Sequence, residues 1–315
     1  MKKLTILIPV LNEEKNLPIL YKRLSKVLQN LNGKIIEEVI ILDNRSTDNT
    51  KLISKEIVSN STNWKYVRLS RNFGYHNSLA CGFDLATGDG LVVLAGDLQE
   101  PPELIPTMIN KWEEGYEIIY GILNTRNDSS PLKTLGAKLF YPMIELASET
   151  DLPKNATDFR LIDRKVIDAV IKMREPDRYL RGLIHWTGFK QVGFNYDRDK
   201  RIHGKSIAGI WYSTKWALNA IICFSNLPLR MISYFGILTL LFSLLSSIYF
   251  VYAKLYPPKI FTIPPTGTTI IILLLLFVIG MNSLFLGLIG EYIGRIYTQG
   301  KNRPLYIIDE TENFN

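Results

Sequence analysis

Asp97 and Gln99 stand two residues apart in "LAGDLQEPPE" (94–103), where an apolar run meets a pair of prolines. In extended backbone, side chains two apart project to the same side. The carboxylate and the amide oxygen can then be offered together to a hard cation such as Mg2+ or Mn2+. Mg2+ takes one or two carboxylates and completes its shell with water and substrate phosphates, so a single aspartate is enough for that chemistry. The competing reading makes Asp97 the cap of a helix starting at Pro101 or Pro102. His76, His185 and His203 are too scattered to form a site. Cys81 and Cys223 are too few for a metal cluster or a disulfide framework, which fits a reducing compartment.

The stretch closes the last of four short runs rich in Val, Ile and Leu, at residues 4–10, 37–43, 65–70 and 90–96. Such runs read as strands buried on both faces. Segments with helical periodicity fall at 14–30, 48–59, 75–87 and 102–115, with Ser46 or Thr47 capping the second. The alternation predicts an α/β domain with a doubly wound, mostly parallel sheet and a ligand at the carboxyl ends of its strands. Those ends carry the polar signals "PVLNEEKN", "DNRSTDNT", "SRNFGYHNS" and "GDLQEPPE". No G-x-G-x-x-G follows the first strand, which disfavours a dinucleotide. What remains is a nucleotide held by side chains and backbone, with its diphosphate near Asp97.

Two uncharged runs follow, Met231–Ala253 and the 31 residues between Lys259 and Glu291. Each supplies about 20 apolar residues, or about 30 Å of helix, the hydrocarbon thickness of a bilayer. The prolines of "YPPKIFTIPPTG" mark a turn, so the sequence predicts transmembrane helices over 231–253 and 269–290 joined by a loop at 254–268. A pair of buried core helices is the alternative. Trp211, Tyr212 and Trp216 within 207–230 predict an interfacial amphipathic segment, against which stands packing on the sheet. Lys215, Arg230, Arg295, Lys301 and Arg303 outweigh Lys254 and Lys259. That bias puts residues 1–206 and the tail 291–315 on the cytoplasmic side of a multi-pass membrane protein. "MKKLTILIPVLNEE" lacks the pattern of a signal peptide. A net charge of +7 suits an anionic membrane or phosphorylated substrates, and the absence of a dense basic run argues against nucleic acid.

Six motifs in order carry a resemblance: "IPVLNEEKNL", the segment Asp43–Thr50, "RNFGYHNSLACGFDLATGD", "GDLQEPPELI", "TDFRLIDRKV" and "RDKRIHGKS". With the two apolar runs and the tail "GLIGEYIGRIYTQGKNRPLYII", the chain resembles the family 2 glycosyltransferases of the GT-A fold. The branch is that of the polyprenyl-phosphate glycosyltransferases, which includes dolichyl-phosphate mannose synthases and bactoprenol glucosyltransferases. The resemblance implies a GT-A catalytic domain over 1–206 and inverting transfer from a nucleotide sugar, most simply a UDP-hexose, to a polyprenyl phosphate. It is compatible with a homo-oligomer. The family's paired aspartates become Asp43-Asn44, and its D-x-D-x-Q becomes Ala95-Gly96-Asp97-Leu98-Gln99, so one carboxylate is missing at each place. Those losses motivate the competing expectation, a catalytically silent scaffold binding nucleotide or lipid. A processive polysaccharide synthase fits less well, because no Q-x-x-R-W stretch is present.

The resemblance also distributes roles. Pro9, Asn12, Glu13, Asp43 and Arg71 are implied in nucleotide binding, with an N-terminal helix glutamate, a turn aspartate and a surface ion pair as the ordinary alternatives for the last three. Asp97 and Gln99 are implied as metal ligands, and Asp97 and Asp158 as catalytic residues, although Asp158 with Arg160 also reads as a structural pair. Arg198, Arg201 and Lys205, in a loop spaced R-x-x-R-x-x-G-x-S, are implied around the diphosphate. Arg126, Ser129, Ser130, Lys133 and Lys138 resemble the acceptor-phosphate site, for which a solvated basic helix face is the plainer account.

Overall fold

Continuous Val, Ile and Leu make β1 (Lys2–Val10), β2 (Ile35–Asp43), β3 (Trp64–Leu69) and β4 (Gly90–Val93), and the periodic segments between them make α1 (Leu17–Leu31), α2 (Thr50–Ser59) and α3 (Tyr75–Leu85). The computed structural model describes residues 1–31, 35–124, 156–176, 178–199, 232–239, 241–245, 248 and 267–314. The four strands pair in parallel in the order β4-β1-β2-β3. Successive side chains go to opposite faces, as strand geometry requires. Leu4, Ile6 and Ile8 share one apolar cluster with Leu17, Leu20 and Leu24 of α1, whereas Leu7, Ile40 and Leu42 share the other with Leu79 and Phe83 of α3.

After a 3-10 turn at Pro102–Leu104 come α4 (Ile105–Glu113), β5 (Ile118–Leu123), β6 (Ala156–Asp163), α5 (Arg164–Ile171), α6 (Leu180–Trp186), β7 (Gln191–Tyr196), α7 (Gly267–Gly300) and β8 (Ile308–Glu312). The sheet runs β7-β5-β6-β4-β1-β2-β3-β8. The β5–β7 pairing is parallel; β4–β6, β5–β6 and β3–β8 are antiparallel. This is the expected GT-A-like α/β sheet, more mixed at its margins than the sequence indicated.

The tail departs from expectation. The chain forms two compact units, Met1–Phe224 with Arg303–Asn315, and Ser225–Asn302. Helix α7 does not stop at residue 290 but continues for 34 residues in all to Gly300, because nothing in "EYIGRIYTQG" breaks a helix and Glu291 pairs with Arg295 one turn on at 3.1 Å. Asn302, at φ 47°, and Pro304 then end it. Residues 308–312, within the tail 291–315, form the edge strand β8 on β3. Leu274–Gly300 is long and apolar enough to cross a membrane by length and composition, with a mean hydropathy of 1.9 over its most apolar 18 residues. The described residues hold one such helix; of the other expected span, 232–239 and 241–245 are helical and exposed. The interfacial segment at 207–230 and the loop 254–266 lie outside the described residues.

At the amino ends of the strands, a buried carboxylate fastens the sheet. Glu38 of β2 accepts from Thr5 Oγ1 at 2.6 Å, Lys65 Nζ at 2.7 Å, and Thr87 N at 3.1 Å. Burial opposes its charge, but Lys65 and the Thr5 and Thr87 donors more than offset this and hold its carboxyl at about 2, against an ordinary 4.5. A lowered folded value means the stabilisation is complete above the unfolded value and disappears as pH falls through the folded one. Glu38→Gln should therefore cost on the order of 2 kcal/mol near neutral pH. In denaturant unfolding of the solubilised protein, the gap between parent and variant should close between pH 4.5 and about 2.

Candidate active site

Four loops follow the carboxyl ends of β1–β4, and each contains one residue with left-handed backbone: Asn12 (φ 59°), Arg45 (φ 72°), Gly74 (φ 85°) and Leu98 (φ 61°). For a non-glycine residue this conformation costs about 1–2 kcal/mol, so the surrounding contacts must hold it.

The first two loops are laced together. Asn12 N donates to Ser46 Oγ at 3.0 Å and Thr47 N donates to Asn12 Oδ1 at 2.8 Å. Glu13 N donates to Thr50 Oγ1 at 2.8 Å, and Glu14 takes Asn49 N at 3.1 Å. The side chain of Glu13 accepts from Asn16 Nδ2 at 2.5 Å. Asp43 is 0% exposed. Its Oδ1 accepts Ser46 N at 2.6 Å, closing the turn, and its Oδ2 accepts the Tyr66 hydroxyl at 2.9 Å. Burial and the Asp43 charge both push the Tyr66 hydroxyl above its ordinary range. Arg68 completes the turn, donating to Ser46 O at 3.0 Å with its Nε 3.6 Å from Asp43. Asp43 therefore shapes the turn, and Asn12 and Glu13 brace it.

Asn44 accounts for one missing carboxylate. Its Nδ2 donates to Asn72 Oδ1 at 2.9 Å while its Oδ1 accepts Phe73 N at 3.0 Å, tying the second loop to the third. An aspartate has no donor for Asn72. Arg71, beside this bridge, is exposed and stacks 4.1 Å over the Phe73 ring.

The fourth loop carries Asp97. Pro9, buried at the end of β1, and Val10 lie against Gly96, where a Cβ would come within 2.9 Å of Val10 Cγ1. Asp97 is 8% exposed, and its Oδ1 accepts Gln99 N at 3.2 Å, a local turn rather than the helix cap considered from sequence. Glu100, buried beside it, accepts Ala95 N at 2.9 Å. Burial pushes the Glu100 carboxyl up to about 8, against the Ala95 N–H and aided by the charges of Asp97 and Asp158. Near neutral pH it is thus largely protonated, which leaves Asp97 as the charge of the Ala95–Glu100 loop. Gln99 O accepts Asp199 N at 3.1 Å, which brings the start of the basic loop, with exposed Arg198, to the same place.

Strand β6 supplies Asp158. The register Val93↔Arg160 carries it two residues further, to the level of the Asp97 loop. Arg181 of α6 grips it with a fork, Nε to Oδ1 and Nη2 to Oδ2 both at 2.7 Å, and Arg160 lies 3.8 Å away. Burial works against the charge of Asp158, but Arg181 above all, with Arg160, holds it well below the usual carboxylate range. Such a group stays ionised and is no general base at neutral pH. Arg181 and Glu100 were not singled out from sequence. Arg126, Ser129, Ser130, Lys133, Lys138, Arg201 and Lys205 lie outside the described residues. Among the described residues, no group of three His, Cys, Asp or Glu is arranged to hold a metal.

Four laced loops at one end of a GT-A-like sheet, with an aspartate in each of the second and fourth, match a known pattern. Residues 5–171 fit the model of Glycosyl transferase family 2, and the chain belongs to that family and is a glycosyltransferase. It is 37% identical to an uncharacterized glycosyltransferase of Synechocystis over 310 residues, 98% of this chain and 95% of that one. It is 36% identical to the uncharacterized glycosyltransferase YkcC of Bacillus subtilis over 307 residues, 98% of this chain and 93% of that one. It is also 32% identical to the bactoprenol glucosyl transferase of Shigella phage SfII over 315 residues, 99% of each. A solved structure, glucosyl-3-phosphoglycerate synthase from Mycobacterium tuberculosis, superposes with a TM-score of 0.48 at 15% identity, over 71% of this chain and 80% of that one, too loosely to bear on function.

The fork on Asp158 gives a test. Arg181→Lys keeps the charge but not the paired geometry, so turnover should fall about tenfold or more with the donor KM little changed. Arg181→Met, which removes the fork from the buried carboxylate, should also lower stability by on the order of 2 kcal/mol. Steady-state kinetics beside thermal unfolding check both, and a Lys variant with full turnover would make the fork dispensable.

Proposed function

We propose that this glycosyltransferase moves a sugar from a nucleotide sugar, in the simplest case a UDP-hexose, to a polyprenyl phosphate at the membrane, with inversion. The observation that carries this reading is the likeness to the bactoprenol glucosyl transferase of phage SfII, which covers 99% of both chains and so includes the apolar carboxyl-terminal part. The nucleotide would meet the face built by the Asp43–Ser46 turn, Asn12, Glu13 and Arg71, and its diphosphate would lie at the Asp97 loop.

Asp97 and Gln99 fit a divalent cation of the Mg2+ or Mn2+ class: one carboxylate and one amide oxygen on one turn, a donor set that substrate phosphates and water would complete. Such an ion would supply positive charge at the leaving diphosphate. Arg198, with Arg201 and Lys205, stabilises the same charge from the basic loop. The acceptor phosphate is already ionised near neutral pH, so no strong base is needed. Asp158, fixed by Arg181, instead orients the acceptor or the sugar hydroxyls, and Arg126, Ser129, Ser130, Lys133 and Lys138 hold the acceptor phosphate. A silent scaffold is not favoured, because Asn44 does work a carboxylate could not and Asp97, Gln99 and the Asp158–Arg181 fork are all in place.

Connectivity lends support to a membrane hairpin. β8 belongs to the catalytic sheet, yet α7 precedes it in the chain. If α7 crosses the bilayer, the chain must cross an even number of times to return, and 231–253 is the other apolar run long enough. This supports a hairpin; the basic flanks favour the cytoplasmic side for the catalytic domain, and Trp211, Tyr212 and Trp216 favour the interface for 207–230. Reporters fused at Met1 and Asn315 should score cytoplasmic and one at Pro257–Gly267 on the far side; a cytoplasmic score for the loop overturns the hairpin.

The transfer itself is tested with polyprenyl phosphate and a panel of nucleotide sugars. Asp97→Asn should abolish transfer with the fold retained, because amide ligands carry no charge to hold a hard cation. Ala95→Asp should lower the cation concentration that gives half-maximal activity. Full activity in a chelator would remove the metal from the reading and leave the diphosphate to the arginines.

A further inference from the structure

β8 is not a simple edge strand. Its register on β3 pairs Tyr66↔Glu312, Val67↔Thr311 and Arg68↔Glu310, then jumps to Leu69↔Ile308. Asp309 is the extra residue of a β-bulge, a device that turns a side chain out of the ladder and is frequent beside active sites. The side chain so aimed meets Arg45, whose Nη1 lies 2.5 Å from Asp309 Oδ2. Arg45 is the left-handed residue of the Asp43–Ser46 turn. Glu310 stands opposite Arg68 in the ladder but sends its carboxylate to Lys51 and Lys55 of α2, and Ile307 O takes Ser70 N at 2.9 Å where the third loop begins. Ile307 and Asp309 of the tail thus bear on the two loops that Asn44 ties together. The other tail contacts go elsewhere: Glu312 reaches Lys55 of α2 at 2.5 Å, and the Tyr306 hydroxyl reaches Asp84 of α3 at 2.6 Å.

We propose that Asp309 is a positioning residue for the nucleotide: through Arg45 it fixes the shape of the Asp43–Ser46 turn that receives the donor. The inference rests on the reading of that turn as part of the nucleotide site. Both side chains of the pair are partly exposed, 43% and 40%, so its effect is modest and sensitive to salt.

The test uses the full chain in detergent with Mn2+, titrated with UDP and with GDP, the tighter serving as probe. Asp309→Ala should weaken binding about two- to fivefold, the range of an exposed ion pair, and the difference should shrink at high ionic strength. Glu312→Ala, which breaks a pair of equal length on the same strand, should leave affinity unchanged whatever it does to the melting temperature. The exchanged pair Arg45→Asp with Asp309→Arg should recover at least half of the loss. Equal weakening by Asp309→Ala and Glu312→Ala, or none by Asp309→Ala, reduces the tail to a fastening and overturns the proposal. Amide exchange over residues 43–46 separates this from the premise. If the probe binds without protecting those amides, or neither nucleotide binds, the turn is not the nucleotide site and the proposal falls with it.

Discussion

The buried carboxylate of Asp43 is the constraint on which the site depends. At the last residue of β2 its two oxygens take the turn's own Ser46 N–H and the Tyr66 hydroxyl from the neighbouring strand, so the turn is fixed by the sheet. Ser46 and Thr47 can then brace Asn12, and Asn44 can reach Asn72 and Phe73. A buried polar network of this kind is useful only when all its members are satisfied, because an unpaired group in low dielectric is costly. Here the accounting closes with an amide at Asn44, which donates to Asn72 Oδ1 while it accepts Phe73 N, two bonds a carboxylate could not make together.

Charge at the other end of the site is arranged by contrast. Asp158 is kept ionised by a guanidinium fork, whereas Glu100, on the same loop as Asp97, is kept largely neutral by burial. Environments that push carboxyl groups apart assign them different tasks. The result is a carboxylate on the Asp97 loop and another on β6, with the stretch Arg198–Asp199 tied to the same loop through Gln99 O.

Much of this was legible in the sequence, and the limits have physical causes. β1–β4 and α1–α3 were readable because strands buried on both faces and amphipathic helices impose distinct periods on the residues. The loops were readable because polar side chains gather at strand ends. Arg181 was not, since its value lies in a contact with Asp158 that only the packing of α6 on β6 creates. Glu100 lay inside the motif that prompted the search, yet its burial and its bond to Ala95 N are tertiary facts. "IDETE" reads as a solvated acidic tail. It becomes a strand because β3 offers an unpaired edge and α2 presents Lys51 and Lys55 beside it.

That edge has a consequence for biogenesis. The polypeptide up to residue 199 contains every other strand of the sheet, but β3 keeps a free row of backbone groups until residues 308–312 arrive. An open edge is a template for pairing with the wrong chain. During synthesis the nascent domain must wait with that edge bare while the apolar run and α7 are made, at about 5–20 residues per second. For this chain the final strand therefore ties completion of the soluble sheet to the fate of the hydrophobic segment. Ribosome-bound intermediates arrested before residue 308 should be the ones most dependent on chaperones.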